Sequence, residues 1–280
     1  MIGLARDRSA AIGLLVIVLT AALAVLAPVL SPADPVKNSL IDRLTPPMWS
    51  AGGTARHPLG TDTLGRDVAS RLLYGARVSL IVGLSAVAIA GVLGVLVGLL
   101  SGYYRGWPDD LLMRLGDVQL AFPVLVLAVA VLAVLGASLA NVILVLGVTG
   151  WITYARIVRG ETLSLRQREF VEAARALGAT DRYLLWRHVL PNVLAPVTVV
   201  ATFSVARTII AEASLSFLGL GIPPPAPSWG AMLDEGRNYI TTGWWLALFP
   251  GLAILLLVLG INLVGDWLRD LLDPRMERSM

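Results

Sequence analysis

Few side chains in this 280-residue chain can do chemistry, and their spacing narrows what that chemistry is. The stretch Glu172–Pro191, EAARALGATDRYLLWRHVLP, sets Glu172 and Asp181 among Arg175, Arg182 and Arg187, between long apolar runs. Mixed charge held between apolar runs makes a surface that touches something outside a bilayer. The stretch reads as a short helix from about Arg168 to Leu177, a stop at Gly178 and a restart capped by Thr180 or Asp181. Glycine just past a helix end, then a short polar cap, is a stop-and-start signal. Pro191 sits where a new apolar helix begins, because its missing N–H costs least in a first turn. Arg207 and Glu212 are a second candidate pair, placed inside an apolar run. Charges there are costly and usually face a cavity or a partner. Five residues apart, they lie roughly 140° apart around a helix, so each looks for its partner on another helix. Arg207 either lines a path, where it meets a carboxylate, or pairs across a subunit interface while Glu212 reaches the outer boundary.

Other chemistries are excluded or lack support. Cysteine is absent, so no disulfide or thiolate metal site exists. His57 and His188 are the only histidines and lie far apart, which disfavours a histidine metal cluster. A phosphate-binding loop GxxxxGK[ST] needs a lysine after a glycine. The lone lysine, Lys37, follows Val36, so this chain is not a nucleotide hydrolase by that chemistry. No GxSxG, HExxH or paired intramembrane aspartates suggest an intramembrane enzyme. Nucleic-acid binding needs a basic face on a folded soluble domain, and the small net charge of +3 sits on loop arginines instead.

The elements that position these residues are membrane spans. Apolar residues make up 56% of the chain and the mean hydropathy is +0.77, far from a soluble balance. A helix needs about 20 residues to cross the hydrocarbon core. Charge-free runs give spans in Ser9–Ala33, in Val78–Tyr104, two in Val118–Ala155 split near Gly136–Asn141, one from Asn192 to about Leu218, and one from about Trp245. The expected fold class is an all-α membrane protein of six transmembrane helices. The first run follows Arg6 and Arg8 but exceeds a signal-peptide core in length, so it reads as an uncleaved anchor. With the N-terminus inside, the inner pieces hold about twice as many arginines as the outer ones, which favours cytoplasmic N- and C-termini. Tyr103, Tyr104, Trp107, Trp151, Tyr154, Trp244, Trp245 and Trp267 stand near helix ends.

The domain reading is a cytoplasmic N-terminus at 1–9 and one membrane domain at 10–280. Two outside segments fall at about 31–77 and 219–244, and a cytoplasmic loop at about 156–191. In the first outside segment, Asp62 or Thr63 caps a short surface helix running toward Tyr74. In the second, Pro223–Pro225 gives a stiff extended turn. Ala90, Gly94, Gly98 and Gly102 recur every four residues and read as a strip for close helix packing. Asp117 reads as lying near the start of the third span, favoured there by the helix dipole, with Pro123 in its first turns.

Glu172, Ala173, Ala174, Gly178, Leu190 and Pro191 carry a resemblance to the cytoplasmic EAA signature of ABC-importer permeases. His188 departs from it, since many members carry an aliphatic residue there. The segments 57–80, 154–179 and 212–233 resemble the dipeptide, oligopeptide and nickel branch, as the second permease of a heterodimeric pair. The resemblance runs from about residue 10 to about residue 275. It implies the type I importer permease fold, in a bacterial plasma membrane. It implies a partner permease, two cytoplasmic ATPases that bind ATP and Mg, and an extracytoplasmic substrate-binding protein. The loop around Glu172–Gly178 would be the helix that couples to an ATPase. No cofactor is expected on this chain. The expected substrate is a di- or oligopeptide. Nickel, a nickel chelate or glutathione is the alternative within the class. A secondary transporter is the alternative outside it and would show repeated halves, broken helices and buried coupling carboxylates.

Overall fold

A computed structural model describes residues 7–272. They form ten α-helices and, among the described residues, no extended pairing beyond a single bridge between Thr61 and Asp67. α1 (Arg8–Leu30) starts at Asp7, whose carboxylate accepts from the N–H groups of Ser9 and Ala10. The Ser9 hydroxyl, then the Ala10 N–H, hold Asp7 below the usual carboxylate range.

α2 (Val68–Tyr104) is 37 residues long and starts well before Val78. Asp67 caps it by accepting from the N–H of Ser70. The separate surface helix expected toward Tyr74 is therefore the first turns of α2. Arg71 does not end the helix because its charge is taken up by buried Asp62 and partly exposed Glu235.

The third crossing is broken. α3 (Trp107–Leu120) and α4 (Val124–Leu135) meet at an 88° bend, with Pro123 between them. Proline lacks the N–H that would continue α3 and disfavours helical geometry in the residue before it. Asp117 consequently lies near the C-terminal end of α3, not near a helix start, and pairs at the surface with Arg156 at 2.5 Å. The 12 residues of α4 span only about 18 Å, less than the hydrocarbon core, so α3 and α4 together form either one broken span or a re-entrant pair. Five helices are long and apolar enough to cross a membrane, and six crossings result when the bent pair is one of them.

α5 (Leu139–Leu165) leads to the two short helices α6 (Glu169–Ala176) and α7 (Asp181–Leu184). A π-helical turn over Leu185–Val189 joins α7 to α8 (Leu190–Phe217), and α9 (Trp229–Arg237) and α10 (Trp245–Leu272) complete the chain. Helix α7, the π turn and α8 run on from Asp181 to Phe217 as one span, and in the first turn of α8 stands Pro191, where its missing N–H predicts it. The π turn widens the ladder just before it: the Leu190 N–H reaches the Leu185 carbonyl. That shift accommodates the proline ring and its missing donor. In the 218–228 connection the Pro224–Pro225 bond is cis, and the segment turns instead of extending.

α2 and α5 form the centre of the bundle and run parallel, with Gly94, Gly98 and Gly102 facing Tyr154, Val158 and Thr162 in step. A Cβ on Gly98 would sit 2.7 Å from both the Ala155 carbonyl oxygen and the Val158 Cβ. The strip is therefore a packing seam that lets two backbones approach, as small residues do in membranes. α8 crosses α2 in the opposite sense, with Gly83 against Val205 and Ile209. α1 lies against α10, with Gly13 beside Gly260, Leu263 and Val264.

Candidate functional site

The excursion between α5 and α8 is the largest polar surface that the sequence singled out. α6 stops in a Schellman turn. The Gly178 N–H bonds the Arg175 carbonyl at 2.9 Å, the Ala179 N–H bonds the Ala174 carbonyl at 3.1 Å, and Gly178 has φ +88°. Thr180 caps α7 by accepting from the Tyr183 N–H. The stop and restart thus fall where the sequence places them.

The six signature residues divide by direction. Glu172, Ala173, Gly178 and Pro191 are exposed, whereas Ala174 and Leu190 are half-buried against a core of Leu99, Tyr103, Val158, Val171, Leu184 and Val189. Val171 is fully buried and pins α6 to that core. Large apolar side chains stand outside it: Leu177 is 90% exposed, and Phe170, Tyr183 and Trp186 are also exposed. His188 stacks edgewise against Tyr183 at 5.5 Å and tilts against Phe170 at 6.1 Å, so it braces α6 against α7.

Tyr103, the penultimate residue of α2, clamps this excursion, and sequence reading had used it only as an interfacial aromatic. Its hydroxyl donates to Asp181 at 2.5 Å and accepts from Arg175 at 3.3 Å. The guanidinium groups of Arg166 and Arg175 each lie 5.9 Å from its ring centroid. Arg166 also donates to the Tyr103 carbonyl at 2.6 Å. One side chain at the end of the central helix therefore holds both ends of the polar loop.

Arg207 and Glu212 are not brought together. Glu212 is fully buried and does not reach a boundary. It accepts from the Ser216 hydroxyl at 2.8 Å, while its other oxygen has no hydrogen-bond partner among the described residues. Arg207, itself exposed, lines an open cavity of about 370 Å³ between α2, α4, α5 and α8, with Leu120 of α3 at its edge. No carboxylate among the described residues lines that cavity.

A third cluster went unread in the sequence. Asp62 accepts from Arg66 Nε at 2.6 Å and from Arg71, and Glu235 on α9 accepts from Arg66 at 3.0 Å and from Arg71 at 2.5 Å. Asp62, Arg66 and Arg71 are all buried. Beside them, Asp67 takes His57 Nδ1 at 2.9 Å and the Ser70 hydroxyl at 2.8 Å. Trp229 Nε1 donates to the Leu72 carbonyl at 2.9 Å and Trp245 Nε1 to the Thr61 carbonyl at 3.0 Å. The segment between α1 and α2 is thereby tied to α2, α9 and α10. The signal was present as acids four residues before arginines, Asp62 to Arg66 and Asp67 to Arg71. Only the first of these pairs forms.

Bent and glycine-seamed spans around a protruding helix pair define a multi-pass membrane subunit built to engage other chains. Residues 94–278 match the family described as the binding-protein-dependent transport system inner membrane component, and residues 2–47 match the N-terminal transmembrane domain of oligopeptide transport permease C. The chain belongs to the binding-protein-dependent transport system inner membrane component family. It is 46% identical over 275 residues to the di/tripeptide transport system permease protein DppC of Pseudomonas aeruginosa, covering 98% of this chain and 91% of that one. It is 44% identical over 274 residues to the glutathione transport system permease protein GsiD of Pectobacterium atrosepticum, covering 98% and 89%. Among solved structures, an inward-facing form of the MetNI methionine ABC transporter superposes with a TM-score of 0.59 at 21% identity. That match covers 72% of this chain and 96% of that one, and shares the fold.

Proposed function

We propose that this chain is one permease subunit of an ATP-driven importer of di- or oligopeptides, non-catalytic itself. The observation that carries the coupling role is the α6–α7 pair. It presents Leu177, Phe170, Tyr183 and Trp186 outward on a rigid, doubly anchored mount. Apolar groups exposed at the tip of a polar loop suit a groove on a second protein better than water or lipid. The lone Lys37 supplies no phosphate-binding loop, so the energy of ATP must enter through such a contact.

In this reading two ATPase subunits bind ATP and Mg, and one of them takes Glu172, Ala173 and Gly178 in its groove. Ala174 and Leu190 hold the helix pair to the bundle, with Pro191 at the exposed first turn of α8. A homologous permease completes the path, and an extracytoplasmic binding protein delivers the ligand against segments 31–77 and 219–244. Both termini and the loop 156–191 lie in the cytoplasm, in a domain covering 10–280. The peptide class is supported by relatives named for di/tripeptide and glutathione transport, since glutathione is itself a tripeptide.

The test is ATPase activity of the co-expressed complex in proteoliposomes, with the binding protein loaded in turn with dipeptide, longer peptide, glutathione or nickel chelate. Stimulation by peptide ligands supports the reading. Stimulation by nickel chelate alone replaces the substrate, and uptake driven by a proton gradient without an ATPase replaces the mechanism.

A further inference from the structure

Arg207 sits about two-thirds of the way along α8, on a face shared with Ser204, Thr208, Ala211 and Ser214. These residues recur at three- and four-residue steps, the period of one helix face. The face fronts the 370 Å³ cavity, whose far wall on α5 offers Thr149, Thr153 and Tyr154. Most of the remaining lining is aliphatic, including Val87, Val124 and Leu146.

Two features of this cavity are unusual for a structural void. The guanidinium of Arg207 is exposed in the mouth of this open cavity and has no carboxylate within ion-pairing reach among the described residues, although charges at membrane level are normally paired. Tyr154, 1% exposed and lining the same cavity, has its hydroxyl beside that of Ser204 but in no well-aligned hydrogen bond among the described residues. Buried hydroxyls without partners are rare and call for an explanation. Glu212, the nearest acid along α8, is turned to Ser216 and does not serve Arg207.

We infer that Arg207, Tyr154, Ser204 and Thr208 form a transit site for the C-terminal carboxylate of the moving peptide, an assignment that rests on the peptide-importer reading. A guanidinium offers a planar fork that matches a carboxylate with two parallel hydrogen bonds. A phenol or an aliphatic hydroxyl donates to the same oxygens. A single cation among neutral hydroxyls binds weakly, as passage requires: a conducting site admits its ligand and then lets it go. The aliphatic walls tolerate many side chains, so the site reads a group that every unmodified peptide carries.

The experiment uses the assembled transporter in proteoliposomes. Saturating binding protein is supplied loaded with alanyl-alanine or with its C-terminal amide, and the loading of each is verified by mass spectrometry. Arg207→Gln is expected to lower uptake per ATP of the free acid at least fivefold and that of the amide less than twofold. Arg207→Lys keeps the charge, loses the fork, and is expected to recover part of the acid uptake. Equal losses for both peptides, or a loss for neither, overturn the site. Failure of both variants to assemble also overturns it, in favour of pairing with an acid of the neighbouring permease. A wild-type complex that moves neither peptide refutes the importer reading itself, an outcome separate from all of these.

Discussion

Replacing Asp62 by asparagine isolates the buried ion network on the segment between α1 and α2. Asp62 is 1% exposed. One carboxylate oxygen accepts from the backbone N–H groups of Leu64 at 2.8 Å and Arg66 at 2.9 Å, and the other faces Arg66 and Arg71. Asparagine keeps the carbonyl that serves the two backbone donors. It puts an NH₂ group against two guanidinium donors and removes the charge that balances them. Glu235 remains, but its side chain is about a quarter exposed and is left to serve both arginines alone. Breaking a buried pair in this way costs about 3–5 kcal/mol. If the loss is local, 3 kcal/mol is a rise of roughly 100-fold in the open population of the segment. Amide hydrogen exchange followed by mass spectrometry reads this directly. Peptides covering residues 60–70 should exchange about 100-fold faster, while peptides from the α2–α5 seam stay protected. Glu235→Gln should move exchange in the same direction by less, because its carboxylate is partly solvated. Exchange at 60–70 within threefold of wild type for Asp62→Asn would refute the idea that this network holds the segment.

Gly98→Val should disrupt the α2–α5 seam. Even the first added carbon lies 2.7 Å from Val158 and the Ala155 carbonyl, and overpacking of this kind costs about 1–3 kcal/mol. A lower melting temperature in detergent checks it, and an unchanged one counts against the seam. Glu172→Lys should uncouple transport from ATP hydrolysis without unfolding the chain, since Glu172 is exposed. Gly178→Val should do the same through its turn, because φ +88° at a β-branched residue costs about 1–2 kcal/mol while the space around it is open. Wild-type uptake per ATP in both would sink the coupling role. Tyr103→Phe keeps the ring beneath Arg166 and Arg175 but loses the hydroxyl bonds to Asp181 and Arg175. The loss is about 1 kcal/mol. It should lower uptake per ATP while complex assembly persists, and equal losses of ATPase activity and uptake would make Tyr103 merely structural.

Membrane class, the approximate spans and the stop at Gly178 were legible from residue order alone, because each is a local consequence. Apolar length follows from the thickness of a bilayer. A glycine between two helix patterns meets the conformation of a Schellman turn wherever the helices go. The small-residue strip was legible too, because a period of four on a helix needs no partner to be recognised. Its partner, α5, and the parallel sense of the contact were not. Local reading failed where distant groups changed what a residue costs. Arg77 bounded the charge-free run, yet α2 extends back through it and through Arg71: Arg77 is exposed, and Arg71 is neutralised by Asp62 and by Glu235, the latter far along the chain. Pro191 stands in the first turn of α8 as its residue type signals, but the span begins earlier, at Asp181, because a π turn carries α7 into α8. Asp117 changed ends of its helix because the bend at Pro123 is sharp enough to divide one span into two helices. Arg207 and Glu212 were both visible as costly intramembrane charges, but periodicity gave only the angle between them. That one is sealed beside Ser216 and the other faces a cavity with an orphan tyrosine depends on which helices lie against α8, and only packing decides that.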